Sequence, residues 1–167
     1  MATEIERKFL VVADDWRASV VRSQPMEQGY LTRTGAVDGP SCSVRVRIAG
    51  DAAWLNIKSA IAGVERREYE YAVPVPDAAR MLAEFCPGVV EKIRHYVPLG
   101  GRTFEVDEFL GDNTGLIVAE LELDAVDARF ERPSWLGREV SAVSRYYNLH
   151  LLNHPYSRWS AVERAGE

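Results

Sequence analysis

Polar side chains, all but Asn56 ionisable, recur two residues apart in seven short stretches of this 167-residue sequence, mostly with apolar residues between them. Glu4, Glu6 and Lys8 form the first set. Arg45 and Arg47 alternate with Val44, Val46 and Ile48. Asn56 and Lys58 alternate with Leu55 and Ile57, and Glu68 and Glu70 with Tyr69 and Tyr71. Further along, Lys92 and Arg94 flank Ile93. Glu105 and Asp107 alternate with Phe104 and Val106, and Glu120 and Glu122 with Leu121 and Leu123. In an extended chain, residues two apart share a face at about 7 Å from one another, close enough to touch one polyanion or one metal cluster. Guanidinium forks and ammonium groups suit a chain of phosphates. Carboxylates suit hard cations such as Mg²⁺ or Mn²⁺, which usually share phosphate oxygens with a substrate. The two sets together fit metal-assisted chemistry on an oligophosphate.

Period-2 alternation requires strands to carry these residues. Eight are expected, over 3–11, 26–33, 42–49, 53–59, 64–74, 89–98, 102–109 and 116–124. Turn-forming residues separate many of them: Gly35 to Pro40, Gly50-Asp51, Ala60 to Gly63, Gly100-Gly101 and Gly111 to Gly115. Most of these links are too short for a crossover helix, so neighbouring strands should pair antiparallel. Helices are expected over 14–22, capped by Asp14 or Asp15; over 77–85, with Asp77 as N-cap; and over 141–152, with Ser141 as cap.

On any single strand a charged face reads most simply as a solvated one. Over seven strands that reading weakens, because acids are sorted into some strands and bases into others, and like charges side by side cost energy unless something opposes them. An inside-out arrangement accounts for the sorting. The expected fold is α+β, mainly antiparallel β: an eight-stranded closed β-barrel forming a tunnel, with a charged lumen and helices packed outside. Residues 1–167 form one domain in this reading. Lone charges cannot be buried dry, so the lumen must hold water, ion pairs, a metal and a charged ligand.

Twenty Lys or Arg against 25 Asp or Glu leave a net charge of −5, which lacks the broad basic field of a nucleic-acid binder. An acidic chain is also poorly suited to an anionic membrane surface. Apolar runs are too short to span a bilayer, no secretory signal opens the sequence, and Cys42 and Cys86 lie far apart and read as inert thiols. A reduced, soluble, cytoplasmic protein is expected. Lysine is rare, three against seventeen arginines, and all three, Lys8, Lys58 and Lys92, fall on the charged faces.

The sequence Glu4-Ile5-Glu6-Arg7-Lys8 fits an ExExK pattern, and Val44-Arg45-Val46-Arg47, Asn56-Ile57-Lys58, Glu68-Tyr69-Glu70, Glu91-Lys92-Ile93-Arg94 and Glu120-Leu121-Glu122 follow in order. With Arg138-Glu139-Val140-Ser141 and Arg145-Tyr146-Tyr147-Asn148 near the C-terminus, this ordered set resembles the CYTH domains, or triphosphate tunnel metalloenzymes, over nearly the whole chain. The resemblance implies an eight-stranded antiparallel tunnel that binds a triphosphate with divalent metal, Mg²⁺ or Mn²⁺. It implies a hydrolase of a small-molecule triphosphate, with inorganic tripolyphosphate as the expected substrate. A class IV adenylyl cyclase, a thiamine or nucleoside triphosphatase, and a non-catalytic polyphosphate or nucleotide binder are the alternatives. Glu4, Glu6, Glu120 and Glu122 match the metal-holding carboxylates. Glu68, Glu70 and Asp107 match a second metal or water-positioning set. Lys8, Arg45, Arg47, Lys58, Lys92 and Arg94 match phosphate-binding bases. Lys58 is also a catalytic candidate, as water activator, paired with Tyr30 of Gln28-Gly29-Tyr30-Leu31. The resemblance allows a homodimer, which no feature of the sequence itself establishes.

His95, on the face opposite Lys92 and Arg94, reads as structural, and His150 and His154 have no ligand spacing. Trp16, Trp54, Trp135 and Trp159 read as core or docking residues. Arg66 stands between the lumen and its mouth, and Glu139 between a family position and an ordinary ion pair.

Overall fold

Alternating residues that bury one face against an apolar layer and leave the other to polar partners produce a sheet whose strands each contribute to both sides. A computed structural model describes residues 2–32, 42–59 and 65–165, with the backbone alone for 2–4, 65 and 66. The turns expected over 35–40 and 60–63 lie outside the described residues, as do positions 33 and 64 of two expected strands. The strands are β1 (Ala2–Val11), β2 (Arg22–Tyr30), β3 (Cys42–Ala49), β4 (Ala52–Ser59), β5 (Glu65–Val73), β6 (Val89–Leu99), β7 (Arg102–Phe109), β8 (Ile117–Glu122) and β9 (Leu136–Glu139). The helices are α1 (Val75–Phe85), α2 (Asn148–Asn153) and α3 (Ala161–Arg164). The class is α+β, with a mainly antiparallel sheet and few helices.

The strand order is β5-β4-β3-β2-β6-β7-β8-β1-β9, and β1 also pairs with β5. The Ala2–Ile5 half of β1 lies against β5, while Glu6–Leu10 lies against β8. Gly100 and Gly101 form the tight β6–β7 link with φ of 57° and 76°, a left-handed pair that suits glycine.

Apolar residues cover the side of the sheet away from the charges. Phe9, Val97, Phe104, Val106, Ala119 and Leu121 pack with Trp16, Leu123, Trp135 and Leu136. On the other flank, Ala78 and Leu82 of α1 bury Val46 and Ala53. This close packing depends on Gly29, where a methyl group would stand 2.7 Å from Cys86 Sγ. A third cluster fills one end of the charged face, where Val90, Phe109 and Val118 take over from the ionisable residues and meet Tyr146, Leu151 and Trp159. Among the described residues no helix is long and apolar enough to cross a membrane.

Four expectations are corrected. Among the described residues there are nine strands rather than eight, because β9 is a short strand that pairs with β1 around Phe9 and Val11 and shows no alternation long enough to detect. The stretch 14–22 forms only a 3-10 turn over Asp15–Ser19 that tucks Trp16 into the core, and its end enters β2. The second helix starts two residues early. Pro74 is its N-cap residue and Pro76 sits in the first turn, where a missing N–H costs nothing, with Asp77 following it. The stretch 141–152 divides into a 3-10 turn over Ser144–Tyr146 and the short α2. Ser141 is not a cap: its hydroxyl accepts from the Lys8 N–H at 2.9 Å and donates to Glu139 at 2.7 Å.

Candidate functional site

The charged faces converge on one cavity of about 300 Å³. Lys8, Arg45, Arg47, Lys58, Lys92 and Arg94 line it, with Glu6, Glu68, Glu70, Glu105, Glu120 and Glu122. Tyr30 is there too. Every phosphate-binding candidate is therefore on this wall. The Glu4 side chain lies outside the described ones, as does that of Arg66. Asp107 is not a wall residue: it is buried and bonded to both Lys92 and Arg94.

Strand register explains the convergence. Glu6 faces Glu122 and Lys8 faces Glu120 across β1–β8, and Glu105 faces Glu120 across β7–β8. Arg94 faces Asp107 across β6–β7, while Arg45 faces Asn56, and Lys58 faces Glu68, on the other side of the sheet. Directly opposed side chains on one face have Cβ atoms about 5 Å apart, so the pairing of strands chooses the ion pairs.

The β6–β7–β8–β1 side is a closed ion-pair network. Arg94 reaches Asp107 through two bonds of 2.7 Å, Glu120 at 2.5 Å, and Glu105. Lys8 reaches Glu120 at 2.6 Å, and Lys92 bonds Asp107. Burial opposes the charge of Glu120, but Lys8 and Arg94 outweigh it and hold the carboxyl well below its ordinary range. Burial likewise opposes Lys8 and Arg94, and the surrounding carboxylates, Glu120 then Glu6 for Lys8 and Asp107 then Glu120 for Arg94, hold both above their ordinary values. For Lys92 the balance goes the other way. Burial, then the neighbouring Arg94, bring its ammonium down to about 8 despite Asp107. Burial also raises the Glu105 carboxyl against the pull of Arg94.

The β2–β3 side is built differently. Arg47 meets Glu70 at 3.0 Å, and Arg45 has no ion pair among the described residues. Burial and the adjacent Arg45 lower the Arg47 guanidinium. The Nε atoms of Arg45 and Arg47 are both buried and have no acceptor among the described residues. On neighbouring β4, Asn56 is fully buried and its amide bridges the β5 pair, at 2.8 Å from Glu68 and bonded to Glu70. Lys58 stands 3.6 Å from Glu68.

Several wall residues were not visible as candidates in the sequence. Gln28 and Ser43 are single polar residues without a repeated pattern. Glu105 shares the alternation of Asp107, and that shared face was the available signal. Tyr147, Asn148 and Leu149 line the cavity from the start of α2, which reads by its leucines as a docking helix. The Tyr147 hydroxyl donates to the Ser141 carbonyl at 2.5 Å, and Lys8 Nζ lies 5.6 Å from the ring centre. His95 lies on the opposite face, bonded to Ser23 at 2.7 Å and in tilted ring contact with Trp16. Glu139 is held by Arg7 and Ser141, outside the cavity wall.

Comparison with known proteins gives this architecture a family. The CYTH domain pattern matches residues 2–153, and the chain belongs to that family. It is 41% identical over 160 residues to an inorganic triphosphatase of Acetivibrio thermocellus, covering 95% of this chain and 99% of the relative. An inorganic triphosphatase of Nitrosomonas europaea is 35% identical over 152 residues, covering 89% and 96%. The crystal structure of the inorganic triphosphatase NE1496 superposes with a TM-score of 0.66 at 34% identity, over 91% of this chain and 95% of that one.

Proposed function

We propose that the protein is a divalent-metal-dependent inorganic triphosphatase that hydrolyses tripolyphosphate to pyrophosphate and phosphate. The observation that carries this reading is one small cavity lined by six cations and six carboxylates, with two guanidinium Nε donors on β3 that lack acceptors among the described residues. Its volume of about 300 Å³ is at the small end of ligand pockets, roughly 300–1,000 Å³, and suits a compact inorganic anion. The names of the relatives at 41% and 35% identity point to the same substrate. We also read the sheet as the wall of a closed tunnel, since β1 pairs with β8 on one side and β5 on the other.

Arg45, Arg47, Lys58, Lys8, Lys92 and Arg94 bind and orient the phosphates in this reading, Arg as forks and Lys as point charges. Phosphoryl transfer asks mainly for in-line positioning and charge neutralisation, which such a wall supplies.

The donor set fits a hard cation. Among the described residues no three carboxylates gather tightly enough to hold a metal by themselves. Mg²⁺ and similar ions, however, are usually held by one or two carboxylates together with substrate phosphates, and Glu6 and Glu122 are direct cross-strand neighbours. Glu6, Glu122 and Glu120, with Glu4 two residues along β1, would hold the metal. Bound there, it would neutralise charge on the phosphates and lower the pKa of attacking water. Glu68 and Glu70, ordered by Asn56, are suited to position that water or a second ion, and Asp107 acts by fixing Lys92 and Arg94. Lys58, beside Glu68, is proposed to take or relay the water's proton, with Tyr30 on the same wall.

The test is an assay with tripolyphosphate, ATP and thiamine triphosphate, each with Mg²⁺ and with Mn²⁺, reading phosphate, pyrophosphate and cyclic AMP. Release of phosphate from tripolyphosphate, abolished by chelator, is expected. Cyclic AMP as the main product, or tight binding without turnover, would replace the reading by a cyclase or a binder.

A further inference from the structure

Gln28 is an unassigned polar residue in an unusual position. It is only 1% exposed, it lines the cavity, and its Nε2 has no hydrogen-bond partner among the described residues. A buried amide donor left without an acceptor costs the fold its desolvation, so an acceptor from outside the protein is called for. Its surroundings show which kind. Gln28 faces Arg47 directly across β2–β3, and Tyr30, two residues along, faces Arg45. The other two buried donors of this wall without acceptors are Arg45 Nε and Arg47 Nε. Among the described residues, three buried donors without acceptors thus belong to side chains of two adjacent strands that line the cavity.

We propose that Gln28 is a substrate-binding residue that donates its amide hydrogen to an oxygen of the bound triphosphate, completing with Arg45 and Arg47 a donor wall on β2–β3. This rests on the triphosphatase reading and adds to it a neutral contact that no charge pattern reveals. An uncharged donor adds directional hold on a phosphate oxygen without contributing repulsion to the two adjacent guanidiniums. A site built to hydrogen-bond its ligand also rejects ligands that cannot accept.

The experiment compares wild type, Gln28→Met and Gln28→Glu by calorimetric binding of inorganic tripolyphosphate with chelator present, and by thermal unfolding without ligand. Methionine keeps the length and removes the orphaned amide. Its melting temperature should equal or exceed that of wild type, while its Kd for tripolyphosphate rises by about 10-fold or more, as expected for loss of a hydrogen bond to a charged group. Gln28→Glu puts a carboxylate in place of the donor and should bind still more weakly. Wild-type affinity in Gln28→Met overturns the proposal and leaves the triphosphatase reading standing. A lowered melting temperature with unchanged affinity, or failure of both variants to fold, assigns the amide to the fold and also overturns it. Absence of tripolyphosphate binding by wild type, together with no release of phosphate when Mg²⁺ or Mn²⁺ is supplied, overturns both.

Discussion

Two walls of the same cavity handle charge in opposite ways. On β6, β7, β8 and β1, Arg94, Lys92 and Lys8 are buried against Asp107, Glu105 and Glu120, and the network is complete before any ligand arrives. On β2 and β3, among the described residues, Arg45 has no ion pair and three buried donors have no acceptor. A buried charge is tolerable only when paired. The first wall meets that condition internally and so becomes part of the fold. The second wall leaves it partly unmet, and an anionic ligand would meet it. The ion-paired residues of the first wall are therefore expected to respond to mutation in stability as well as in binding, and the second wall chiefly in binding.

The largest effect should come from Arg94→Ala. It strands Asp107, Glu105 and Glu120 without their shared cation, and breaking such a buried network costs about 3–5 kcal/mol, a fall in melting temperature on the order of 10 °C for a chain of this size. Thermal and denaturant unfolding measure it, and a loss below about 1 kcal/mol would remove the structural role of this wall. Next, Glu6→Gln and Lys58→Ala should lower kcat for tripolyphosphate by about 100-fold or more, or about 2.7 kcal/mol, with the fold intact by circular dichroism. Wild-type turnover in either would take that residue out of the chemistry.

Arg45→Ala sharpens the comparison most directly. Its stability should change by about 0.5 kcal/mol or less, while the Kd for tripolyphosphate rises by about 10-fold or more. Destabilisation as deep as that of Arg94→Ala would erase the difference between the walls. The smallest effect concerns Arg7 and Glu139, on the outer side of β1. The hydrogen bond from Arg7 holds the Glu139 carboxyl below its ordinary value. The stabilisation is therefore present above the unfolded carboxylate pKa of about 4.5 and is lost as pH falls through the lower folded value. Arg7→Met should flatten this acid limb by about 1 kcal/mol or less, read as unfolding free energy between pH 7 and pH 3. An unchanged limb would show that the pair contributes nothing.

Much of the site was legible because a strand has a period of two. Once Arg45 and Arg47, or Glu120 and Glu122, lie on strands, they must share a face, and the apolar residues between them must take the other. The same parity put His95 on the outer face, where it meets Ser23 and Trp16. Legibility failed where the signal was a single residue or a change of role. Gln28 repeats no pattern. Asp107 follows the alternation of Glu105, yet it lies directly across from Arg94, is buried in that ion pair and does not line the cavity. The residues over 147–152 read as a greasy helix, and Leu151 and Leu152 do pack, but Tyr147, Asn148 and Leu149 line the cavity. Ser141 reads as a cap, and it instead bonds the Lys8 backbone because β9 brings Glu139 beside β1.

By itself, the sequence determined which side chains share a face, that acids and bases are segregated, and that the connections favour antiparallel neighbours. These are local consequences of backbone geometry and turn chemistry. Only the tertiary structure decided which strand lies beside which, and so that Arg94 serves three carboxylates while Arg45 has none among the described residues. Pairings such as Lys8 with Glu120 join residues more than a hundred positions apart. They depend on register across the whole sheet, and no local preference of either strand encodes it.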